Sequence, residues 1–218
     1  MMKPRIKICC IGTINEAKTA VGYGASAIGL VARMPSGPGP IIDELIKQIA
    51  STVPPPIGTF LLTSETSVAG IIKHHQRTNT NTIQIVDYLS NGTYSQLKAA
   101  LPSVKIVQVI HVMDESSVDE AIEISESVDA ILLDSGNPKL IIKELGGTGR
   151  IHNWNLSRQI RENSKCPVFL AGGLTPDNVR QAIEEVQPFA VDVCSGVRTN
   201  GILDNYKLEK FFLNVLNA

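Results

Sequence analysis

Short apolar, β-branched runs alternate with helical patterns along the chain. Eight of these runs are nearly continuous rather than alternating, which is typical of strands buried on both faces of a parallel sheet. Each run precedes a segment with apolar residues at helical spacing. The second such segment shows this spacing at Ile42, Leu45, Ile46 and Ile49. The predicted strands are 6–9, 27–31, 58–62, 82–86, 104–110, 130–134, 167–171 and 189–193. The predicted helices are 14–23, 41–50, 66–77, 93–100, 117–126, 155–163, 176–186 and 205–216.

Eight strand–helix units in 218 residues favour an α/β fold of the (β/α)8 barrel type, near the lower end of its size range. The competing fold is a doubly wound open sheet. That fold more often has about five or six strands and a G-x-G-x-x-G turn after the first one, which this chain lacks. The chain has no linker and no shift in composition, so we expect one domain over residues 1–218.

Composition and charge narrow the range of partners. The chain is 43% hydrophobic and 19% charged, with a net charge of −1, so nothing favours nucleic acid or an anionic membrane surface. No apolar run reaches the roughly 18 residues of a membrane helix, and no signal-peptide core follows the N-terminal charges. With no export signal, we expect a cytoplasmic protein without a nucleic-acid or membrane partner. The chain could be a monomer or a homodimer, and the sequence does not distinguish the two.

The four cysteines form no C-x-x-C pair, and no histidine lies at zinc-finger spacing from them. In a reducing compartment we expect four free thiols and no metal site. Each cysteine could also be a small buried hydrophobic residue with no chemical role.

Glycines follow the last two predicted strands. Gly172 and Gly173 come directly after the seventh strand, and Ser195 and Gly196 come after the eighth. Glycine lets backbone N–H groups approach an anion closely, and the loops after strands seven and eight are where barrel enzymes most often hold a phosphate. Either pair alone could be turn residues only, but both together predict a phosphate site.

Three ionisable side chains lie at strand ends, where the active groups of a barrel enzyme gather. Asp134 ends the sixth strand, as a structural cap or as a proton donor. Asp192 lies within the apolar eighth strand and needs either solvent or a partner. Cys9 ends the first strand, and a thiol of lowered pKa can act as a base. Cys10 is the alternative candidate for the base. Side chains alternate along a strand, so one of the two thiols should point into the barrel and the other towards the helices.

Several segments together resemble the phosphoribosylanthranilate isomerase family, (β/α)8 enzymes of tryptophan biosynthesis. They are KICCIGTINEA, GASAIGLV, LLDS, GGTG, VFLAGGLTPDNV and VDVCSGV, which cover almost the whole chain in the family's order. The resemblance implies an Amadori rearrangement of N-(5-phosphoribosyl)anthranilate by general acid–base catalysis, with no cofactor. It places the general base on Cys9, the general acid on Asp134 and a further site residue on Asp192. It places phosphate binding on Gly172, Gly173, Ser195 and Gly196.

The chain departs from the family pattern mainly around the aglycone. Gly39 stands where the family has an Arg that meets the anthranilate carboxylate, and Arg33 could substitute for it from the end of the second strand. Cys10 replaces a family glycine, and only Gln84 is kept from the family's Q-L-H-G. Two alternatives therefore stay open. One is a related phosphosugar amine as substrate, and the other is a non-catalytic protein that binds a phosphate ligand.

Overall fold

The computed structural model describes residues 3–218 and shows a closed barrel of eight parallel strands in the order β1 to β8. The strands are β1 (Arg5–Ile8), β2 (Ala27–Val31), β3 (Gly58–Thr63), β4 (Thr82–Ile85), β5 (Lys105–His111), β6 (Ala130–Asp134), β7 (Val168–Leu170) and β8 (Ala190–Val193). The helices are α1 (Ile14–Gly22), α2 (Asp43–Thr52), α3 (Val68–Thr78), α4 (Tyr94–Ala100), α5 (Ser116–Ser125), α6 (Trp154–Asn163), α7 (Val179–Val186) and α8 (Asn205–Leu216). The predicted (β/α)8 fold is confirmed.

The ends of the helices follow their capping residues. Ser67 accepts a hydrogen bond from the backbone N–H of Gly70, so α3 begins at Val68. Thr93 and Gln96 form a reciprocal capping box at the start of α4. A short hairpin of β9 (Arg198–Thr199) and β10 (Ile202–Leu203) precedes α8 and was not predicted.

The core has two layers because successive side chains of a strand point to opposite faces. In β1, Ile6 and Ile8 pack outward against the helices, whereas Cys9, two residues after Lys7, belongs to the apolar cluster inside the barrel. Lys7 is therefore buried inside the barrel as well, beneath Cys9. The cluster between sheet and helices contains more residues than the cluster inside the barrel.

The register brings the last residues of β1 and β8 together. Lys7 pairs with Asp192 and Ile8 pairs with Val193 across the two strands. On the other side of the barrel, His111 of β5 pairs with Asp134 of β6. Side chains that are far apart in sequence therefore share the C-terminal end of the barrel.

Within residues 3–218, none of the helices is both long and apolar enough to cross a membrane. The same residues contain no cluster of three or more His, Cys, Asp or Glu side chains arranged to hold a metal ion.

Candidate active site

A cavity of about 720 Å³, counting its open mouth, lies at the C-terminal end of the barrel. It brings together most of the residues that the sequence singled out. Of those residues, its lining contains Cys9, Asp134, Gly172, Gly173, Asp192 and Ser195. Arg33 and Gly196 are outside the lining. Arg33 is exposed, and its carbonyl accepts a hydrogen bond from the hydroxyl of Ser64. Gly196 packs against the carbonyl of Leu174, where a Cβ would clash.

Asp134 is held at the end of β6 by its own loop. The backbone N–H of Ser135 donates to Asp134 Oδ1 at 2.7 Å, and a Cβ on Gly146 would lie 2.5 Å from Asp134 Oδ2. Burial raises the pKa of Asp134, although the Ser135 N–H and the nearby His111 oppose the shift. A carboxyl whose pKa is raised keeps its proton closer to neutral pH, which suits a general acid.

Asp192 has a partner that the sequence reasoning missed. Lys7 Nζ lies 2.9 Å from Asp192 Oδ1, and the two side chains are 0% and 7% exposed. Burial lowers the pKa of Lys7, but the Asp192 carboxylate and the Cys9 thiol outweigh this and hold it above its ordinary value. Lys7 could have been found from the sequence, since it lies between the outward residues Ile6 and Ile8 of a buried strand.

Cys9 lies directly above this ion pair. Gly29 of β2 provides the space, because a Cβ there would lie 2.7 Å from Cys9 Sγ and 3.1 Å from Lys7 Nζ. Burial raises the pKa of the Cys9 thiol to about 11, although the Lys7 ammonium opposes the shift. The protein groups around Cys9 therefore do not by themselves lower the pKa of its thiol.

Cys10 forms a disulfide with Cys194, so the prediction of four free thiols is wrong for these two residues. Their Cα atoms are 5.8 Å apart across the ends of β1 and β8. Cys10 has a φ of 60°, in the left-handed region that glycine adopts easily, so the alternation of the strand ends at Cys9. Both neighbouring sulfur atoms therefore lie on the cavity side, and the expectation that one would face the helices is also wrong.

The two glycine-rich turns have backbone conformations that depend on glycine. Gly172 and Gly173 have φ values of 80° and 64°. A Cβ on Gly173 would lie 2.7 Å from the backbone of Arg150, so the turn needs both the freedom and the small size of glycine. Asn178 braces it, donating to the Gly173 carbonyl at 2.9 Å. On the next strand, Ser195 opens a short 3-10 turn at the end of β8.

The cavity has a polar side and an apolar side. Asp134, Asp192 and the turns after β7 and β8 form the polar side. The apolar side follows β2, β3 and β4 together with two loops. Its apolar lining residues are Val31, Met34, Leu62, Val86 and Leu145. Such a cavity suits a ligand with a polar, anionic end and a flat apolar end.

Comparison with known proteins identifies the family of this barrel. A model of the family described as N-(5'phosphoribosyl)anthranilate (PRA) isomerase matches residues 6–214. The chain belongs to this family. It is 34% identical over 227 residues to an N-(5'-phosphoribosyl)anthranilate isomerase of Methanosarcina acetivorans, covering 98% of this chain and 94% of the relative. The predicted family is confirmed, and the chain is an isomerase of the phosphoribosylanthranilate type.

Solved structures of the family share the whole fold. The phosphoribosyl anthranilate isomerase of Thermotoga maritima has 28% identity and a TM-score of 0.80, with 99% of this chain and 100% of that chain covered. A second structure, with 26% identity, a TM-score of 0.77 and the same coverage, is a phosphoribosyl anthranilate isomerase in complex with reduced 1-(o-carboxyphenylamino)-1-deoxyribulose 5-phosphate.

Proposed function

We propose that the chain rearranges N-(5'-phosphoribosyl)anthranilate to 1-(o-carboxyphenylamino)-1-deoxyribulose 5-phosphate, in tryptophan biosynthesis, with Cys9 as general base and Asp134 as general acid. The observation that carries these roles is that both side chains line one cavity from different strands. Cys9 follows β1 and Asp134 ends β6, with β7 and β8 between them. A sugar held between these strand ends would present opposite sides to an acid and a base.

The chemistry needs one proton delivered and one removed. The carboxyl of Asp134 donates its proton to the furanose ring oxygen, the C1′–O bond breaks, and the nitrogen lone pair forms a C=N iminium. The Cys9 thiolate then takes the proton from C2′, and the electrons of that bond form the enolamine. Protonation at C1′ and loss of the hydroxyl proton at C2′ give the ketone product. No electrons are gained or lost overall.

The thiolate of Cys9 is harder to form than the protonated carboxyl of Asp134, because burial raises the pKa of the Cys9 thiol to about 11. The cationic iminium would stand next to Cys9 at the moment when the thiolate is needed. An adjacent positive charge favours the deprotonated form of a thiol. The Lys7 ammonium acts in the same direction, so the base is activated mainly after the ring has opened.

The phosphate handle is proposed to lie on backbone N–H groups. No Lys or Arg side chain of residues 3–218 lines the cavity, whereas Gly172, Gly173 and Ser195 do. Backbone N–H groups in glycine turns can bind an anion without a cationic side chain. Gly196 supports the site by allowing the β8 turn to pack against the β7 turn.

A related phosphosugar amine remains a second candidate substrate, because of the loop after β2. Gly39 has a φ of 84°, and a Cβ there would lie 2.7 Å from Cys10 Cβ. Any larger residue at position 39 would therefore collide with the disulfide. The aglycone carboxylate has no guanidinium at this position, which would favour a substrate with a different aromatic amine.

The remaining assignments are proposals of the same kind. We propose a single domain, a small-molecule phosphosugar as the partner, and a monomer or homodimer in solution. We also propose a cytoplasmic location, in which the Cys10–Cys194 disulfide would be an exception to the reduced state of most cysteines. The uninterrupted succession of eight strands in one barrel supports a single domain. One similar structure is of monomers generated from a dimeric isomerase of Thermotoga maritima, at 25% identity.

The direct test is turnover of N-(5'-phosphoribosyl)anthranilate by the purified protein, followed as the loss of anthranilate fluorescence. We expect conversion by the wild type and an equal rate for Cys166→Ala, whose thiol is free and lies outside the cavity lining. Absence of conversion above the uncatalysed rate would contradict the proposed substrate. Conversion of another N-phosphoribosyl aromatic amine would then support the second candidate.

A further inference from the structure

Arg198 is a charged residue that the acid–base chemistry does not use. It begins β9, directly after the 3-10 turn that follows β8, and its side chain is 9% exposed. Its guanidinium forms a fork with the carboxylate of Glu16 in α1, with Nη1 2.7 Å from Oε1 and Nη2 3.1 Å from Oε2. This bidentate ion pair fixes the orientation of the guanidinium.

The same guanidinium holds the backbone that follows β1. Its Nη2 donates to the carbonyl of Cys10 at 2.6 Å and, over a longer distance of 3.4 Å, to the carbonyl of Cys9. Glu16 holds this segment from its other end, because its carboxylate accepts from the backbone N–H of Gly12 at 2.9 Å. Two side chains that pair with each other therefore fix the turn that leads out of β1.

This turn needs support because of the conformation of Cys10. Its φ of 60° is in the left-handed region, which a residue other than glycine keeps only where its surroundings hold it. The disulfide to Cys194 anchors the side chain of Cys10, whereas the hydrogen bond from Arg198 anchors its carbonyl. The guanidinium therefore contributes a restraint on the backbone that the disulfide does not supply.

The peptide between Cys9 and Cys10 connects Arg198 to the proposed base. The carbonyl of this peptide belongs to Cys9 and accepts from Arg198, and its N–H belongs to Cys10 and favours the thiolate of Cys9. Burial raises the pKa of the Cys9 thiol to about 11, and this N–H opposes the shift together with the Lys7 ammonium. Because a peptide is planar, a rotation that releases the carbonyl also moves the N–H. Loss of the guanidinium would then make the thiolate harder to form.

We propose that Arg198 is a positioning residue for the general base, and that it orients the Cys9–Cys10 peptide by holding the carbonyls of both residues. This inference rests on the proposed function. The backbone at position 198 has a support of its own, since Lys207 Nζ donates to the Arg198 carbonyl at 2.7 Å. Removal of the guanidinium should therefore leave the turn after β8 in place and act on Cys9.

The test measures turnover of N-(5'-phosphoribosyl)anthranilate by Arg198→Met and Arg198→Lys, with circular dichroism to show that each variant is folded. For Arg198→Met we expect kcat to fall about 10- to 100-fold, as for the loss of a hydrogen bond from a charged group, and KM to be nearly unchanged. Arg198→Lys keeps a positive charge beside Glu16 but lacks the planar fork, so its loss of kcat should be smaller. Arg161→Met is the matched control and should keep kcat, because Arg161 Nε donates to a backbone carbonyl, that of Val186 at 2.9 Å, outside the cavity lining.

A second measurement reports on the Cys9 thiolate without turnover. In a Cys166→Ala background, Cys9 is the remaining free thiol of residues 3–218. Its rate of alkylation by iodoacetamide at one pH follows the population of the thiolate. We expect Arg198→Met to slow this alkylation several-fold and Arg161→Met to leave it unchanged.

A kcat of Arg198→Met close to that of the wild type, or a rise in KM larger than the fall in kcat, would overturn the proposal. An equal loss of kcat in Arg161→Met would also overturn it, because the effect would then be a general loss of stability. If the wild type does not turn over the substrate, the proposed function fails by itself, and the alkylation rates still decide the role of Arg198. Slower alkylation in Arg198→Met supports that role, and an unchanged or faster rate refutes it.

Discussion

The buried ion pair of Lys7 and Asp192 makes a quantitative prediction about stability. The two charged atoms are 2.9 Å apart, and the side chains are 0% and 7% exposed. At an effective dielectric constant of about 20, this separation corresponds to an attraction of about 6 kcal/mol before the cost of desolvation. Removal of one partner leaves the other charge buried and unpaired. Asp192→Asn should therefore lower the free energy of unfolding by about 3–5 kcal/mol.

A double-mutant cycle measures the interaction between Lys7 and Asp192 separately from the cost of burying each charge. The double variant Lys7→Met/Asp192→Leu replaces both charges by apolar groups. Its loss in the free energy of unfolding should be far smaller than the sum of the losses in Lys7→Met alone and Asp192→Leu alone. The assay is urea unfolding at pH 7 followed by circular dichroism. The exposed pair Lys210 and Asp177, with side chains 44% and 80% exposed, is the control and should show a coupling of less than about 1 kcal/mol. A coupling for the buried pair no larger than that of the control would refute the reasoning.

Three further predictions concern the rim of the cavity. Gly173→Ala should lower the free energy of unfolding by about 1–3 kcal/mol and raise KM more than it lowers kcat, because its φ is 64° and its Cβ would press on the backbone of Arg150; unchanged unfolding and kinetics would disprove the need for glycine. Burial lowers the pKa of His152 from 6.5 to about 4, so the stability contributed by its neutral ring is complete above pH 6.5 and is lost as the pH falls towards 4. The free energy of unfolding, measured with urea at pH 7 and pH 4.5, should change less between the two pH values in His152→Gln than in the wild type. An equal change in both proteins would contradict the lowered pKa of His152. Thiol titration of the unfolded, non-reduced protein should find two free thiols among the four cysteines, and four reactive thiols would exclude the disulfide. Reduction of Cys10–Cys194, which are 184 residues apart in sequence, should lower the free energy of unfolding by up to about 5 kcal/mol.

The fold and the main site residues could be predicted because they depend on local patterns and on one general rule. Strands buried on both faces are apolar throughout, so all eight could be recognised in order. Parallel strands bring their C-terminal ends to one edge, which predicted that Cys9 and Asp134 would share a cavity although they are far apart in sequence. Gly172 and Gly173 could be identified because their turn needs a conformation that other residues rarely adopt.

The features that were missed depend on backbone geometry and on long-range contacts. Alternation predicts side-chain direction only in an extended strand, and Cys10 leaves that conformation with a φ of 60°. Its bond to Cys194 requires the register of β1 against β8, which no local pattern contains. Arg33 follows β2, but it is exposed and outside the cavity lining. The position of a residue at a strand end does not decide where a long side chain points.

The central claim is that Cys9 and Asp134 are the base and the acid of one reaction. The most direct measurement is kcat on N-(5'-phosphoribosyl)anthranilate for Cys9→Ala, Asp134→Asn and the double variant, with circular dichroism to show that each is folded. We expect kcat to fall about 10²- to 10⁴-fold in each single variant, and the double variant to lose less than the product of the two losses. A Cys9→Ala enzyme that keeps kcat within threefold of the wild type would contradict the account.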